Sequence, residues 1–257
     1  MTKLFEVLKY DQRHLNDVTT FLAGVECEIE SINYVDCDIE PYFHAEADGS
    51  LRNNGVEYIS IPLGREDLLD KFKNLHANIV YNNKKEAFSP RTSTHVHINV
   101  RQFDEAQLKQ LVLFYALFEE FFFAMVDPVR RDNIHCVPLN ETMIPQKYRT
   151  NALYMAKYWH KYTAFNMLPV AKQGTVEFRH LQGTDDDELL GRWLKTIENL
   201  WQLAQTDAIT KENIVMTDCH SRWFNKIFAD APEILALAPA MHNKIQNNLI
   251  DVKLAFA

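Results

Sequence analysis

The chain is short of glycine: seven in 257 residues, where an average soluble composition supplies about 18. That scarcity excludes a collagen-like chain or a low-complexity linker. Neither GxGxxG nor GxxxxGK[ST] occurs, which sets aside Rossmann and P-loop nucleotide binding. Cysteine is sparse as well. Cys27, Cys37, Cys136 and Cys219 form no CxxC pair, so reduced thiols in a cytoplasmic protein are expected. Positive charge is in deficit: 27 Lys and Arg stand against 35 Asp and Glu, a net charge of −8. No block of like charges stands out, and a nonspecific nucleic-acid binder or a membrane tail is not expected. The N-terminal MTKLFEVLKYDQRH lacks an apolar signal core. The most apolar run, Leu111 to Val126, is broken by Glu119 and Glu120 and is shorter than the roughly 20 residues of a membrane span. It reads as a buried core helix, with a subunit interface as the lesser alternative.

What is present suffices for a full core, with 47% hydrophobic and 24% charged residues. A single domain is expected, with its core over about 21–205 and a helical extension over about 206–257. LAGVECEIE, EPYFHAEAD and GVEYISIP alternate as strands do, separated by NYVDCD and DGSLRNN. Arg65 to Tyr81 has helical spacing, STHVHINV is a further strand, and Asp104 caps a long helix ending near Met125. A helix over about Lys147 to Trp159, strands KYTAFNM and GTVEFRH, a helix over about Asp186 to Ala204 and two helices around Pro232 complete the pattern. The fold class expected is α+β, with a largely antiparallel sheet flanked by helices.

Alternation sorts the strand side chains by face. Glu26, Glu28 and Glu30 lie opposite Val25, Cys27 and Ile29. His44, Glu46 and Asp48 lie opposite Phe43, Ala45 and Ala47. Glu57 lies opposite Val56 and Tyr58, His95 and His97 opposite Val96 and Ile98, and Glu177 and Arg179 opposite Val176, Phe178 and His180. A solvated strand face usually mixes Lys, Thr, Ser and Gln. These faces hold almost only carboxylates and imidazoles, with one arginine and no lysine. Carboxylates at that density repel one another and call for a cation. Mostly oxygen ligands with one or two imidazoles suit Mg²⁺ or Mn²⁺ better than structural zinc. Arg179, on the face of Glu177, is placed to neutralise a transferring phosphoryl group, and the set points to phosphoryl transfer from ATP.

Gly24-Val25-Glu26-Cys27-Glu28, Asp48-Gly49-Ser50, Gly55-Val56-Glu57, His95-Val96-His97 and Thr175-Val176-Glu177-Phe178-Arg179 occur in that order. Together they resemble the signature of the carboxylate–amine ligases, the superfamily of glutamine synthetase and glutamate–cysteine ligase, and within it the compact amidoligase branch. The resemblance covers about Phe21 to Asp187. It implies a curved antiparallel sheet of the glutamine synthetase catalytic type, with ATP and two or three Mg²⁺ or Mn²⁺ ions on the concave face. It implies that a carboxylate, activated as an acyl phosphate, is captured by an amine to give an amide. By position, Glu26, Glu28, Glu57, His95 and Glu177 are the implied metal ligands, with Asp48 a further candidate. Arg179 would meet the phosphoryl group, and Arg130 or Arg131 would supply a second phosphate contact. The partners implied are small-molecule or peptide acids and amines. Only about twenty residues precede Gly24, so the ring assembly of glutamine synthetase is not expected, and a homo-oligomer of another kind stays open.

Several residues carry two readings. His97 is a metal ligand or a cofactor or substrate contact, and Asn166 could line the nucleotide or acid pocket. Glu30 is expected in solvent or at the rim, and His44 and Glu46 at the rim or in the cleft. His180 is expected as a satisfied core histidine, Tyr162 in packing, and Asp185-Asp186-Asp187-Glu188 as a helix cap. Phe114 to Phe123 are expected in the core, and Cys27 is not a catalytic thiol. Two other functions compete with the ligase: a metal-dependent amidohydrolase, which would need parallel strands of a (β/α)₈ barrel, and a non-catalytic nucleotide- or metal-binding relative.

Overall fold

The structure is a computed structural model that describes residues 2–8, 20–32, 42–139 and 148–256. Six strands, β1 (Ala23–Ile29), β2 (Phe43–Ala47), β3 (Val56–Ser60), β4 (Ser93–Asn99), β5 (Phe165–Asn166) and β6 (Thr175–Gln182), form one sheet in the order β2-β3-β1-β4-β6-β5. Every paired neighbour is antiparallel. That pattern excludes the parallel barrel on which the amidohydrolase reading depended.

The helices are α1 (Leu4–Val7), α2 (Arg65–Asn78), α3 (Glu105–Ala124), α4 (Ala152–Lys157), α5 (Val170–Gln173) and α6 (Asp187–Thr206), followed by α7 (Thr217–Ile227), α8 (Pro232–Leu235), α9 (Met241–Lys244) and α10 (Gln246–Ala255). Asp104 caps α3 reciprocally: its carboxylate accepts from Gln107 N at 2.9 Å while the Gln107 side chain accepts from Asp104 N at 3.0 Å. The cap satisfies first-turn amides that have no partner within the helix, most of whose length is buried. Its Tyr115 ring stacks on Phe165 at 4.6 Å, and Phe122 and Trp193 of α6 close on Phe178 of β6. The apolar sides of the strands (Val25, Cys27, Ile29, Val96, Ile98, Val176 and Phe178) belong to this same core. The opposite face of the sheet is left for chemistry. No helix among the described residues is long and apolar enough to cross a membrane.

Boundaries differ from the sequence reading where tertiary contacts intervene. Helix α2 stops at Asn78 rather than Tyr81, because Ile79 is extended and Tyr81 forms a bridge to Ile32. The alternating KYTAFNM yields only the two residues of β5. Its first half is a turn, in which Thr163 accepts from the Trp159 indole at 2.8 Å. Helix α4 begins after Asn151, which caps it through Tyr154 N, and the expected start at Lys147 lies outside the described residues, as do the NYVDCD turn and Cys37. Helix α5 has no counterpart in the sequence reading. Beyond residue 206 there are four helices rather than two, because Pro232 and Pro239 each begin a new turn. Asp186 is the cap of α6, accepting from Leu189 N at 2.9 Å.

Candidate active site

Strand register alone builds the site. Glu57 of β3 stands directly opposite Glu28 of β1 on one side and Glu46 of β2 on the other. Glu26 of β1 faces His95 of β4, and His97 of β4 faces Glu177 of β6, which in turn faces Asn166 of β5. Directly opposed residues lie about 4.5–5.5 Å apart at Cβ, and like charges so placed are destabilising. These strands therefore present acids at a cost that something must offset.

The cost is visible at Glu57. Its carboxyl is pushed up to about 8 by burial, reinforced by the charges of Glu26, Glu28, Asp48 and Glu46. Glu26 goes the other way. Burial would raise it, but His95 and His97 outweigh burial and hold it well below the usual carboxylate range. His95 Nδ1 lies 3.3 Å from Glu26 Oε2 and 3.4 Å from Glu177 Oε1, and His97 Nε2 lies 3.2 Å from Glu26 Oε1. Burial opposes charge on His97, yet Glu26 more than compensates and raises its pKa.

The remaining groups are held in place. Ser93 donates to Glu28 Oε2 from both its amide, at 2.8 Å, and its hydroxyl, at 2.6 Å. The same hydroxyl lies 2.8 Å from His95 Nε2. Ser93, His95 and Glu26 thus have the outline of a nucleophile–base–acid relay. The serine proton, however, is already donated to Glu28, which leaves His95 nothing to abstract. Asn166 donates to Glu177 Oε2 at 2.7 Å and accepts from Leu168 N at 3.0 Å. It therefore orients Glu177 while lining the cavity. Arg179 pairs with Glu177 and donates from Nε to His135 O at 2.9 Å.

These side chains open into one cavity of about 1100 Å³, large enough for two substrates when a typical small-ligand pocket is about 300–1,000 Å³. Three overlapping sets have ligand atoms within 4.8 Å of one another: Glu26, Glu57 and His95; Glu26, His97 and Glu177; Glu28, Asp48 and Glu57. Oxygen-rich donors with an occasional imidazole, and a carboxyl left protonated for want of a counter-charge, fit Mg²⁺ or Mn²⁺.

The structure brings Glu26, Glu28, Asp48, Glu57, His95, His97, Asn166, Glu177, Arg130 and Arg179 to this cavity. Arg131 is not among them: it turns away to pair with Glu120 at 2.8 Å and lies over the Phe123 ring. Arg130 reaches the cavity wall but is 2% exposed, and its Nε and Nη2 donate to backbone carbonyls. Glu30 is buried rather than solvated, because its carboxylate accepts from Arg52 N at 2.7 Å. His44 and Glu46 pair with each other at 3.1 Å on the exposed outer strand, away from the cavity. His180 is in the core with Nε2 2.8 Å from the Tyr115 hydroxyl, although its Nδ1 has no partner among the described residues. Tyr162 lines the cavity, edge-on to His135, rather than packing in the core.

Sequence reasoning missed Ser93, Arg91, His135, Lys157, Lys161 and Lys172, all of which line the cavity. Ser93 was within reach, since it shares the alternation of His95 and His97. The lysines sit on α4, α5 and the segment between them, where period-two logic has no purchase. With them the cavity has two characters, an acidic floor on the sheet and a partly basic rim.

The sequence profile of a family described as "putative amidoligase enzyme" matches residues 42–201, more than half of the chain. The chain belongs to that amidoligase family. The matched segment carries Asp48, Glu57, His95, Glu177 and Arg179. Glu26 and Glu28 precede it and join the site through the register of β1. None of the curated proteins compared matches the chain.

Proposed function

We propose that this protein is an ATP-dependent carboxylate–amine ligase of the glutamine synthetase and glutamate–cysteine ligase type, acting through an acyl phosphate. The observation that carries the reading is the convergence of two carboxylate–imidazole groupings and one all-carboxylate grouping beside Arg179 in one large cavity of an amidoligase-family chain. Glu26, Glu28, Asp48, Glu57, His95 and Glu177 would hold two or three Mg²⁺ or Mn²⁺ ions, with His97 beside them. Such ions supply neutralisation of the charge gathered when a triphosphate and a carboxylate meet.

The chain's own residues do the rest. Ser93 fixes the Glu28 carboxylate, and Asn166 fixes Glu177, so the floor is set before substrate arrives. Arg179, held by Glu177 and by the His135 carbonyl, aims a guanidinium at the phosphoryl group in flight. A substrate carboxylate oxygen attacks the γ-phosphorus and ADP departs. The amine nitrogen then attacks the acyl carbon, and phosphate leaves carrying that same carboxylate oxygen and taking up the proton that the nitrogen gives up. Arg91, Lys157, Lys161 and Lys172 draw anions to the mouth.

The test is incubation of purified protein with ATP, Mg²⁺ and pools of carboxylates and amines, followed by ADP and product mass. ADP above background only when both pools are present supports the proposal. Amide cleavage without ATP, or ADP formation indifferent to both pools, contradicts it.

A further inference from the structure

Strands β4 and β6 change register in the middle of the site. Thr94 is opposite Leu181 and Val96 is opposite Phe178, so one residue of β4, His95, faces two of β6, Arg179 and His180. A bulge of this kind disrupts the ladder locally and re-aims a side chain. Arg179 and His180 keep the strand's alternation here, with His180 in the core against Tyr115 and Arg179 in the cavity, and the extra residue leaves His180 and Leu181 both on the core side. The carbonyls of both bulged residues end on a single guanidinium. Arg130 Nη2 donates to Arg179 O at 2.7 Å, and Arg130 Nε donates to His180 O at 3.0 Å.

Arg130 is almost wholly buried and forms no ion pair among the described residues. A buried guanidinium held by neutral acceptors is costly. Two parallel donors in a rigid fork match two adjacent carbonyls, which the single ammonium of a lysine cannot do. Asp127 anchors the turn that delivers Arg130, accepting from Val129 N at 2.9 Å and donating its own amide to Gln182 of β6 at 3.1 Å. The turn and the bulged strand are thus tied at two points.

We propose that Arg130 is a positioning residue that clamps the β6 bulge and thereby holds the Arg179 guanidinium over the acidic floor. The proposal rests on the ligase reading for the role of Arg179, while the clamp itself is a property of the fold. Without it, the two carbonyls lose their donors, the bulge relaxes, and Arg179 loses the backbone geometry that lets it reach Glu177 and the His135 carbonyl together.

The test uses Arg130→Lys and Arg130→Gln in the full chain, with two readouts. In the first, the ¹⁵Nε–H resonance of Arg179, identified by its absence in Arg179→Gln, is followed by NMR without any ligand. The proposal expects it to move toward the position of a free guanidinium in both Arg130 variants, while circular dichroism and the slow amides of α3 stay as in the parent. An unmoved resonance overturns the clamp. So does loss of the folded state in both variants, which would make Arg130 a stability element instead. In the second, calorimetry with Mg²⁺ and a non-hydrolysable ATP analogue measures affinity. Arg130→Lys and Arg179→Gln are each expected to lose about 10–100-fold in affinity, as loss of a charge-assisted hydrogen bond to phosphate does. The double variant should bind within about twofold of Arg179→Gln, because residues acting through one group are not additive. Additive losses contradict the proposal. If the parent itself binds no nucleotide, the ligase reading fails and the NMR readout still decides the clamp.

Discussion

Glu57→Gln tests the electrostatic account because it should move stability and metal affinity in opposite directions. Glu57 stands between two glutamates, and its carboxyl is pushed up from 4.5 to about 8 by burial and by Glu26, Glu28, Asp48 and Glu46. The folded chain therefore keeps a proton that the unfolded chain releases. Stability due to this group is whole below pH 4.5 and falls as pH rises toward 8. Each pH unit across that window costs about 1.4 kcal/mol for a fully buried group. Glu57 is only partly buried, and solvent screening reduces the total to about 2 kcal/mol. Gln has the same shape without the charge. At pH 9, without metal, Glu57→Gln should melt about 4–8 °C higher than the parent, given about 2–4 °C per kcal/mol for a chain of this size. At pH 4.5 the two should melt together. Mn²⁺ reverses the order. An ion present at 100 times its Kd stabilises the parent by about 2.7 kcal/mol, and Glu57→Gln should lose most of that gain. Parent affinity for Mn²⁺ should rise up to about tenfold per pH unit below 8, as the displaced proton becomes easier to remove. Calorimetric melts at the two pH values, with and without Mn²⁺, give all four numbers. A substitution that destabilises at pH 9, or that leaves the Mn²⁺ gain intact, refutes the reasoning.

Three further outcomes are expected. Arg179→Ala should abolish carboxylate- and amine-dependent ADP formation while the circular dichroism spectrum and melt stay close to the parent; an unfolded variant would assign Arg179 to structure. Gly174→Ala should cost at least about 1 kcal/mol in denaturant melts, because φ there is +72° and a Cβ would come within 2.4 Å of Arg101 Cγ. Tyr115→Phe removes the hydroxyl that donates to Glu119 and lies 2.8 Å from His180 Nε2, and the buried groups left behind should lower stability by about 1–3 kcal/mol.

The sequence was most legible where a short period met a two-sided environment. The phase of β1, β4 and β6 follows from alternation alone, because a one-residue slip would bury Glu26, His95 and Glu177 in the core. The cap at Asp104 and the length of α3 follow from local chemistry. Alternation fails where contacts distant in sequence decide. It gives no hint that Tyr81 bridges to Ile32, that Thr163 folds back on the Trp159 indole, or that β6 carries a bulge. The arginines show the same limit. Arg130 and Arg131 are neighbours in sequence, yet one is clamped on β6 carbonyls and the other pairs with Glu120 at the surface. The basic rim was hidden for a related reason: Lys157, Lys161 and Lys172 become one feature only once α4 and α5 fold over the sheet.

The central claim, that this cavity activates a carboxylate with ATP for capture by an amine, is tested most directly by oxygen transfer. Carboxylate pools labelled with ¹⁸O in the carboxyl group, incubated with ATP, Mg²⁺, amines and the protein, should yield inorganic phosphate bearing one ¹⁸O per amide formed, since the departing phosphate takes the attacking oxygen with it. Amide formed with unlabelled phosphate would contradict the acyl-phosphate route, and ADP released with neither labelled phosphate nor amide would contradict the ligase reading altogether.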